Sequence, residues 1–305
     1  MKPSLTHRAE YLLFAGATGI GTRLGPAAAD RLGGWLGSVA YHLVRIRRDV
    51  VEDQLRLAFP ERDAAWVRAT AAAVYRHLGR EALATLRLAG ATAEEIAART
   101  VTEGLEDVRR VLSRGRGAVI VTGHLGNWEI GAASLAAQGI PLDGFAQMLG
   151  NPLVNRAVAD ARARLGMRVF DRRGAVARAL RAVREGRAAG FVADQDARRA
   201  GVFVPFFGRP ASTYRGPALV AIRAGVPLFL GIALRRPDGR YDVRIEEIET
   251  DRSGPTDAAV LRLTAAFTAR LEAAIRVAPD QYFWLHRRWK TRPPEELAAT
   301  GHSIT

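Results

Sequence analysis

Short apolar segments rich in β-branched residues alternate with helical segments through the middle of the chain, and this alternation constrains the fold more than any other feature. Residues 118–122 (AVIVT) have the pattern of a strand buried on both faces. Further segments with strand character are 142–148, 167–170, 188–193, 227–234 and 241–248. Segments with helical character are 128–138, 152–165, 175–184, 215–224 and 257–276. This order predicts an α/β fold, with a central mixed or mostly parallel sheet flanked by helices.

The first third of the chain differs, because it has helical periodicity and lacks strand-like runs. Helices are predicted at 49–60, where a proline ends the segment, at 61–88 and at 103–113. No linker rich in Pro, Gly or Ser separates this part from the rest. We therefore expect three regions, namely an N-terminal helical extension over 1–100, an α/β core over 101–293 and a C-terminal tail over 294–305.

Two apolar segments near the N-terminus suggest contact with a membrane. Residues 11–22 are uncharged, but the run is shorter than the roughly 20 residues that a spanning helix needs. Residues 32–46 place Trp and aliphatic side chains at helical spacing, and arginines cluster at their end. This pattern fits an anchor that lies in the membrane plane, and it also fits a helical hairpin packed on the core. A single span and a removed signal peptide are the remaining alternatives.

The composition limits both the chemistry and the partners. Cysteine is absent, which excludes disulfides, thiolate catalysis and cysteine-based metal sites. The formal net charge is +14, and such a surface attracts nucleic acid, an anionic membrane or a phosphate-bearing substrate. The net charge alone does not distinguish among these three kinds of partner. No helix-turn-helix, zinc-finger or aromatic RNA-binding motif supports nucleic acid.

The segment that follows the strand 118–122 carries the strongest chemical signal. His124 lies at the strand end where open α/β sheets bind ligands, and Asn127 is the expected N-cap of the next helix. Glu129 lies one turn into that helix, from where it can reach back and fix the tautomer of the imidazole. This arrangement is typical of a general base without a side-chain nucleophile. A purely structural role is the alternative, since acidic residues are favoured in first helical turns generally.

Other chemically suggestive residues occur downstream. Asp194 and Asp196 follow a predicted strand, and arginines such as Arg209 are close in sequence, so the carboxylates fit a metal site, acid–base chemistry or ion pairs. The apolar run 202–207 suits either the wall of an acyl-chain site or a structural strand. The aromatic residues of 282–289 alternate with cations, as expected at a lipid–water boundary.

Five segments together resemble one known family. Residues 124–129 (HLGNWE) resemble the HX₄(D/E) signature of the lysophospholipid acyltransferase superfamily, specifically the bacterial lipid A late acyltransferases. Four other segments resemble conserved blocks of that family and occur in the same order along the chain. They are 53–61 (DQLRLAFPE), 162–166 (RARLG), 194–208 (DQDARRAGVFVPFFG) and 281–293 (QYFWLHRRWKTRP). Gln54 departs from the asparagine that is common in the first block. Phosphatidylinositol mannoside acyltransferases are relatives of this family.

The resemblance implies a membrane-associated acyltransferase at the cytoplasmic face of the inner membrane. Such an enzyme moves a fatty acyl group from a thioester of acyl carrier protein or coenzyme A to a hydroxyl of a lipid or glycolipid. His124 is then the catalytic base and Glu129 its catalytic partner, and the hydroxyl attacks the thioester directly. No metal and no further cofactor is expected. The implied substrate-binding residues are Arg162, Asp194, Asp196, Asn127 and Arg209.

Several functional alternatives remain at the level of sequence. Glu129 and the block at 281–293 favour an acceptor in lipid A biosynthesis. A phosphatidylinositol mannoside, or another lysophospholipid or glycolipid, is the second candidate for the acceptor. A hydrolase that cleaves acyl esters or thioesters and a basic nucleic-acid-binding protein are the alternatives from other functional classes.

Overall fold

The computed structural model describes residues 3–294, so all but the first residue of the predicted tail 294–305 lies outside the described residues. The α-helices are α1 (Leu5–Arg23), α2 (Pro26–Val39), α3 (Arg48–Ala58), α4 (Ala64–Arg87), α5 (Ala93–Arg99), α6 (Leu105–Ser113), α7 (Trp128–Ala137), α8 (Pro152–Arg164), α9 (Ala175–Arg184), α10 (Gly216–Ala224) and α11 (Thr256–Val277). The strands are β1 (Thr100–Glu103), β2 (Ala118–Thr122), β3 (Leu142–Ala146), β4 (Arg168–Asp171), β5 (Ala188–Val192), β6 (Val202–Phe206), β7 (Arg209–Thr213), β8 (Leu228–Arg235) and β9 (Tyr241–Glu247).

One seven-stranded sheet forms the centre of the fold, in the order β1-β9-β8-β2-β5-β3-β4. Neighbouring strands are parallel except β8 and β9, which are antiparallel. Strands β6 and β7 form a separate antiparallel hairpin. The predicted α/β class, with a central mixed and mostly parallel sheet flanked by helices, is confirmed.

Helices cover both faces of the sheet, which explains the continuous apolar pattern of its central strand. Val119 and Val121 of β2 pack into the larger core cluster with residues of α10 and α11. Ala118 and Ile120 belong to the second cluster, which includes residues of α6 and α7 on the other face. Because β2 is buried on both faces between two parallel neighbours, every position in it is apolar up to Thr122.

Most of the predicted elements are present, and β2 and α9 begin and end at the predicted residues. Two strands were not predicted, since β1 is a four-residue strand at the sheet edge and β7 contains Pro210. Short edge strands and strands with proline lack the apolar run that identifies a buried strand. The apolar run 202–207 forms β6 and the start of its hairpin turn, as the structural interpretation predicts.

The N-terminal helices pack through glycine, which leaves their apolar side chains facing outward. An added Cβ at Gly37 of α2 would lie 2.0 Å from the carbonyl oxygen of Tyr75 in α4, so only glycine permits this backbone contact. The apolar face predicted for 32–46 is consequently exposed at Leu32, Trp35, Leu36, Leu43 and Ile46. Among residues 3–294, no helix has the length and apolar character required to cross a membrane.

The expectation that 282–289 lies at a lipid–water boundary is wrong. Three of the four aromatic residues of this block are buried, namely Tyr282, Trp284 and Trp289, and Phe283 is half-buried. The ring of Trp284 lies 6.0 Å from that of Phe59 and 5.9 Å from that of Phe207. Arg288 is buried with them, and its guanidinium donates to the carbonyl oxygen of Ser212 at 2.6 Å. The alternation of aromatic and cationic residues therefore reflects internal packing in which the cation is hydrogen-bonded.

Candidate active site

A glycine-containing turn at the C-terminal end of β2 presents His124. Gly126 has φ of 61°, and an added Cβ there would lie 1.9 Å from the carbonyl oxygen of Ala233 in β8. The C-terminal segment closes the turn, because Phe283 N–H donates to the His124 carbonyl and Gly126 N–H donates to the Gln281 carbonyl, both at 2.9 Å. The backbone of the turn is thus fixed from two sides.

Asp194 fixes the imidazole of His124. Strand β5 lies beside β2 and parallel to it, so Asp194, which follows β5, reaches the same sheet edge as His124. One Asp194 oxygen lies 2.7 Å from Nδ1 of His124, and the other accepts the His124 backbone N–H at 2.8 Å. The other ring nitrogen of His124, Nε2, lies 3.5 Å from the side-chain amide of Gln195. The side chain of His124 is 19% exposed, so this nitrogen is available to a substrate.

The two groups stabilise each other's charged forms. Burial opposes the imidazolium, but the charge and hydrogen bond of Asp194 outweigh burial and Glu129 adds to them, so the pKa of His124 lies above its ordinary value of 6.5. Burial also opposes ionisation of Asp194, yet the charge of His124, its hydrogen bonds and the charge of Arg288 lower the pKa of Asp194 to about 2. The structure therefore pairs a strengthened base with a carboxylate that is ionised at neutral pH.

Glu129 does not make the predicted hydrogen bond to His124 in the described structure. Its carboxylate pairs with Arg162 of α8 through two hydrogen bonds, of which the one from Nε is 3.1 Å long. The prediction failed because Asp194 already occupies Nδ1, and the nearest guanidinium draws Glu129 away. Glu129 still raises the pKa of His124 through its charge.

Asn127 caps α7, as predicted, and also joins a buried polar network. Its side-chain oxygen accepts the N–H of Ile130 at 3.0 Å, and its amide donates to Glu81 of α4 at 2.6 Å. The same Glu81 oxygen accepts the hydroxyl of Tyr241 at 2.7 Å, and Arg235 lies 3.3 Å from the other oxygen. Since Asn127 is 1% exposed, the structure gives it a positioning role rather than the expected contact with substrate.

Replacing Glu81 with glutamine is expected to destabilise the protein and to loosen the start of α7. The new amide would place a donor against the amide of Asn127 and remove the negative charge beside Arg235. Hydrogen bonds to charged groups contribute about 1.5–3 kcal/mol, so we expect the free energy of unfolding to fall by about that amount. Urea denaturation measures it, with Glu249→Gln on the surface as the control, and equal midpoints for both variants would contradict the role of the network.

Of the remaining predicted residues, Asp196 contacts the C-terminal segment and Arg209 belongs to the β6–β7 hairpin. One Asp196 oxygen accepts the hydroxyl of Thr291 at 2.8 Å, and the Asp196 N–H donates to His286 at 2.8 Å. Arg209 begins β7 and is not among the residues that line the cavity described next. Within residues 3–294, no group of three or more His, Asp or Glu side chains is arranged to hold a metal ion.

An apolar cavity extends from the Glu129–Arg162 pair between α7 and the sheet. Its empty volume, including the space open to solvent, is about 880 Å³. Trp128 lines the mouth, and its ring lies 4.5 Å from the imidazole of His124. The inner wall is formed by buried apolar side chains, among them Ile120, Leu135, Leu142, Met167 and Ile245. Trp128 therefore lies between the cavity and His124.

Three features of the site were missed by reasoning from sequence. These are the pairing of His124 with Asp194, the support of Asn127 by Glu81, and the cavity itself. The position of Asp194 after a buried strand was the available signal for the first. The sequence does not specify that β2 and β5 are neighbours, so that signal did not identify the partner.

Comparison with known proteins agrees with the resemblance. A family model described as "Bacterial lipid A biosynthesis acyltransferase" matches residues 1–291. The lipid A biosynthesis lauroyltransferase of Escherichia coli (strain K12) is 31% identical over 266 residues, which cover 86% of this chain and 85% of that protein. The lipid A biosynthesis palmitoleoyltransferase of the same organism is 27% identical, covering 87% of this chain and 86% of that protein. A phosphatidylinositol mannoside acyltransferase of Mycolicibacterium smegmatis is 30% identical, covering 58% of each chain.

Proposed function

Because the chain belongs to the bacterial lipid A biosynthesis acyltransferase family and is thus an acyltransferase, we propose that it transfers a fatty acyl group from a thioester to a hydroxyl of a lipid A precursor. The observation that carries this proposal is the His124–Asp194 pair in contact with Trp128, a residue that lines the apolar cavity. The donor is a thioester of acyl carrier protein or of coenzyme A. Its acyl chain occupies the cavity, which brings the thioester carbonyl next to Nε2 of His124.

His124 acts as the general base. Nε2 takes the proton of the acceptor hydroxyl while the hydroxyl oxygen attacks the thioester carbonyl, and Asp194 stabilises the imidazolium that forms. The tetrahedral intermediate then collapses, the carbon–sulfur bond breaks, and the leaving thiolate takes the proton from the imidazolium. An ester and a free thiol are the products. No acyl-enzyme is required, which agrees with the absence of cysteine from the sequence.

Arg162 stabilises the negative charge that develops on the thioester oxygen. Three backbone N–H groups of the turn are already engaged, since His124 donates to Asp194, Gly126 to Gln281 and Asn127 to Ala233. Arg162 lines the cavity mouth and is held in place by Glu129. A fixed guanidinium at this point provides the electrostatic stabilisation that acyl transfer needs. The catalytic role of Glu129 is therefore to orient Arg162 and to favour the imidazolium by its charge.

The protein lies on the cytoplasmic face of the inner membrane, with α1 and α2 in the membrane plane. Support comes from apolar side chains that the fold leaves exposed, including Leu13 at 76% and Trp35 at 61%. Arginines such as Arg23 and Arg31 accompany them, and anionic headgroups attract such residues.

The double substitution Leu13→Ser, Trp35→Ser is expected to weaken binding to vesicles of phosphatidylethanolamine and phosphatidylglycerol. Transfer of one large apolar side chain out of water contributes about 1.5–3 kcal/mol, so the loss of two should lower the partition coefficient more than tenfold. Sedimentation with vesicles measures this, and Leu261→Ser, an exposed site on α11, serves as the control. Equal partitioning of the double variant and the wild type would refute the proposed face.

One experiment tests the proposed reaction and its alternatives. The protein is incubated with acyl-carrier-protein or coenzyme A thioesters and with a lipid A precursor, a phosphatidylinositol mannoside or a lysophospholipid, and the products are identified by mass spectrometry. We expect one acyl group to be added to the lipid A precursor. Addition to the mannoside alone would favour the second acceptor, which the mycobacterial relative supports. Release of free fatty acid with every acceptor would favour a hydrolase instead.

A further inference from the structure

Helix α1 crosses a second cleft and is held mainly at its two ends. Near its start, the Asn151 amide donates to the carbonyl oxygen of His7 at 2.9 Å and to Glu10 at 2.8 Å. Near its end, the Arg87 guanidinium donates to the carbonyl oxygen of Gly21 at 2.9 Å. Gly21 is the buried residue of the helix. The middle of α1 therefore bridges a space instead of packing onto the core.

The space beneath α1 is apolar and wide. Tyr11, Phe14 and Ala15 line it from α1, and Leu153 and Ala157 line it from α8. Its empty volume, counted to the open mouth, is about 1750 Å³. Cations such as Arg156 and Arg164 lie on its α8 side. A cleft with apolar walls and basic groups at one side suits a hydrocarbon chain attached to an anionic headgroup.

This cleft adjoins the catalytic cavity. Glu129, Arg162 and Met167 line both spaces, so a chain in the cleft and a chain in the cavity would both contact the Glu129–Arg162 pair. The cavity is walled by the sheet and α7, whereas the cleft is bounded by the helix whose outer side chains Leu12 and Leu13 are exposed. The cleft is thus the space that a lipid enters directly from a bilayer.

We propose that the cleft between α1 and α8 binds a hydrocarbon chain of the acceptor lipid and so delivers its hydroxyl to His124. This inference rests on the proposed function, because it assigns the two apolar spaces to the two substrates of one transfer reaction. The smaller cavity takes the single acyl chain of the thioester. The wider cleft takes a lipid that carries its own chains and remains partly in the membrane.

Filling the cleft tests the assignment. Ala157→Trp places a large side chain in the cleft from α8, and Ala163→Trp places the same side chain on the exposed side of the same helix as a matched control. With a tetraacylated lipid A precursor as the probe, we expect Ala157→Trp to raise the KM for the precursor by about tenfold or more, as the loss of a few buried methylenes would. Hydrolysis of the acyl thioester in the absence of any acceptor should remain at the wild-type rate.

Each outcome has a defined meaning. An unchanged KM in Ala157→Trp would overturn the proposal, as would a parallel loss of thioester hydrolysis, which would show that the cleft serves the donor. Ala15→Trp fills the cleft from α1, outside the α/β core, and gives the same test should Ala157→Trp fail to fold. Failure of the wild type to acylate any lipid would instead refute the proposed function. The cleft would then be tested separately with a phospholipid that carries a photoactivatable acyl chain, and absence of labelling on α1 and α8 would overturn the proposal.

Discussion

Replacing His124 with alanine is expected to lower kcat for acyl transfer by about 1,000-fold or more, because general-base catalysis by a positioned side chain contributes about 10²–10⁴-fold. The variant removes the nitrogen that accepts the hydroxyl proton and leaves the cavity and the Glu129–Arg162 pair in place. The measurement is the initial rate of acyl transfer to the lipid A precursor at saturating donor. Binding to vesicles and the circular dichroism spectrum should be those of the wild type.

The matched control for this variant is His42→Ala, which removes an exposed imidazole far along the chain from β2. It should retain the wild-type rate in detergent micelles. Near-normal turnover in His124→Ala would refute the assignment of the base.

Replacing Asp194 with asparagine is expected to lower kcat by about 100-fold to 10,000-fold and to move the acid limb of the pH profile to lower pH. The base must be neutral to accept a proton, so the rate falls as the pH drops through the pKa of His124. The charge of Asp194 raises that pKa. Without this charge, burial of the imidazole dominates, and the limb must shift downward. The dependence of kcat on pH, measured with wild type and variant, gives the shift directly.

Glu129→Gln distinguishes the structural assignment from the hypothesis drawn from sequence. If Glu129 fixed the imidazole, this variant would show the larger shift of the acid limb. The structure predicts the larger shift for Asp194→Asn, and it predicts a loss of rate in Glu129→Gln through the released Arg162. Asp196→Asn is the control for the loss of a buried carboxylate, and it should leave the acid limb in place, since Asp196 contacts Thr291 and His286.

Local sequence patterns predicted the secondary-structure elements, but they did not predict which side chains from different elements contact each other. The apolar run of β2, the cap at Asn127 and the position of His124 after the strand are each encoded within a few residues, and the structure has all three. The partner of His124 depends on the strand order, which brings residue 194 next to residue 124 across two parallel strands. Spacing along one helix favoured Glu129, but a side chain from α8 determined its contacts.

The local sequence did not show whether an aromatic residue near arginines is buried or exposed. Trp35 and Trp284 both occur beside arginines in sequence, yet the first is exposed and the second is buried. The difference lies in backbone packing, because glycines bring α2 so close to α4 that its larger side chains must point outward. Residues 282–289 instead pack against Phe59 and the turn of the β6–β7 hairpin, where aromatic rings fill the core. Composition alone does not distinguish these environments.

The hydrogen bonds that join Gln281 and Phe283 to the turn at His124 form only late in the synthesis of the enzyme on the ribosome. Translation delivers the chain from its N-terminus, so α1 and α2 emerge long before the segment that closes the turn. The nascent chain thus presents its outward-facing apolar helices while His124 still lacks half of its backbone support. A chain interrupted before residue 281 has the base and its carboxylate but lacks the two hydrogen bonds that fix the turn.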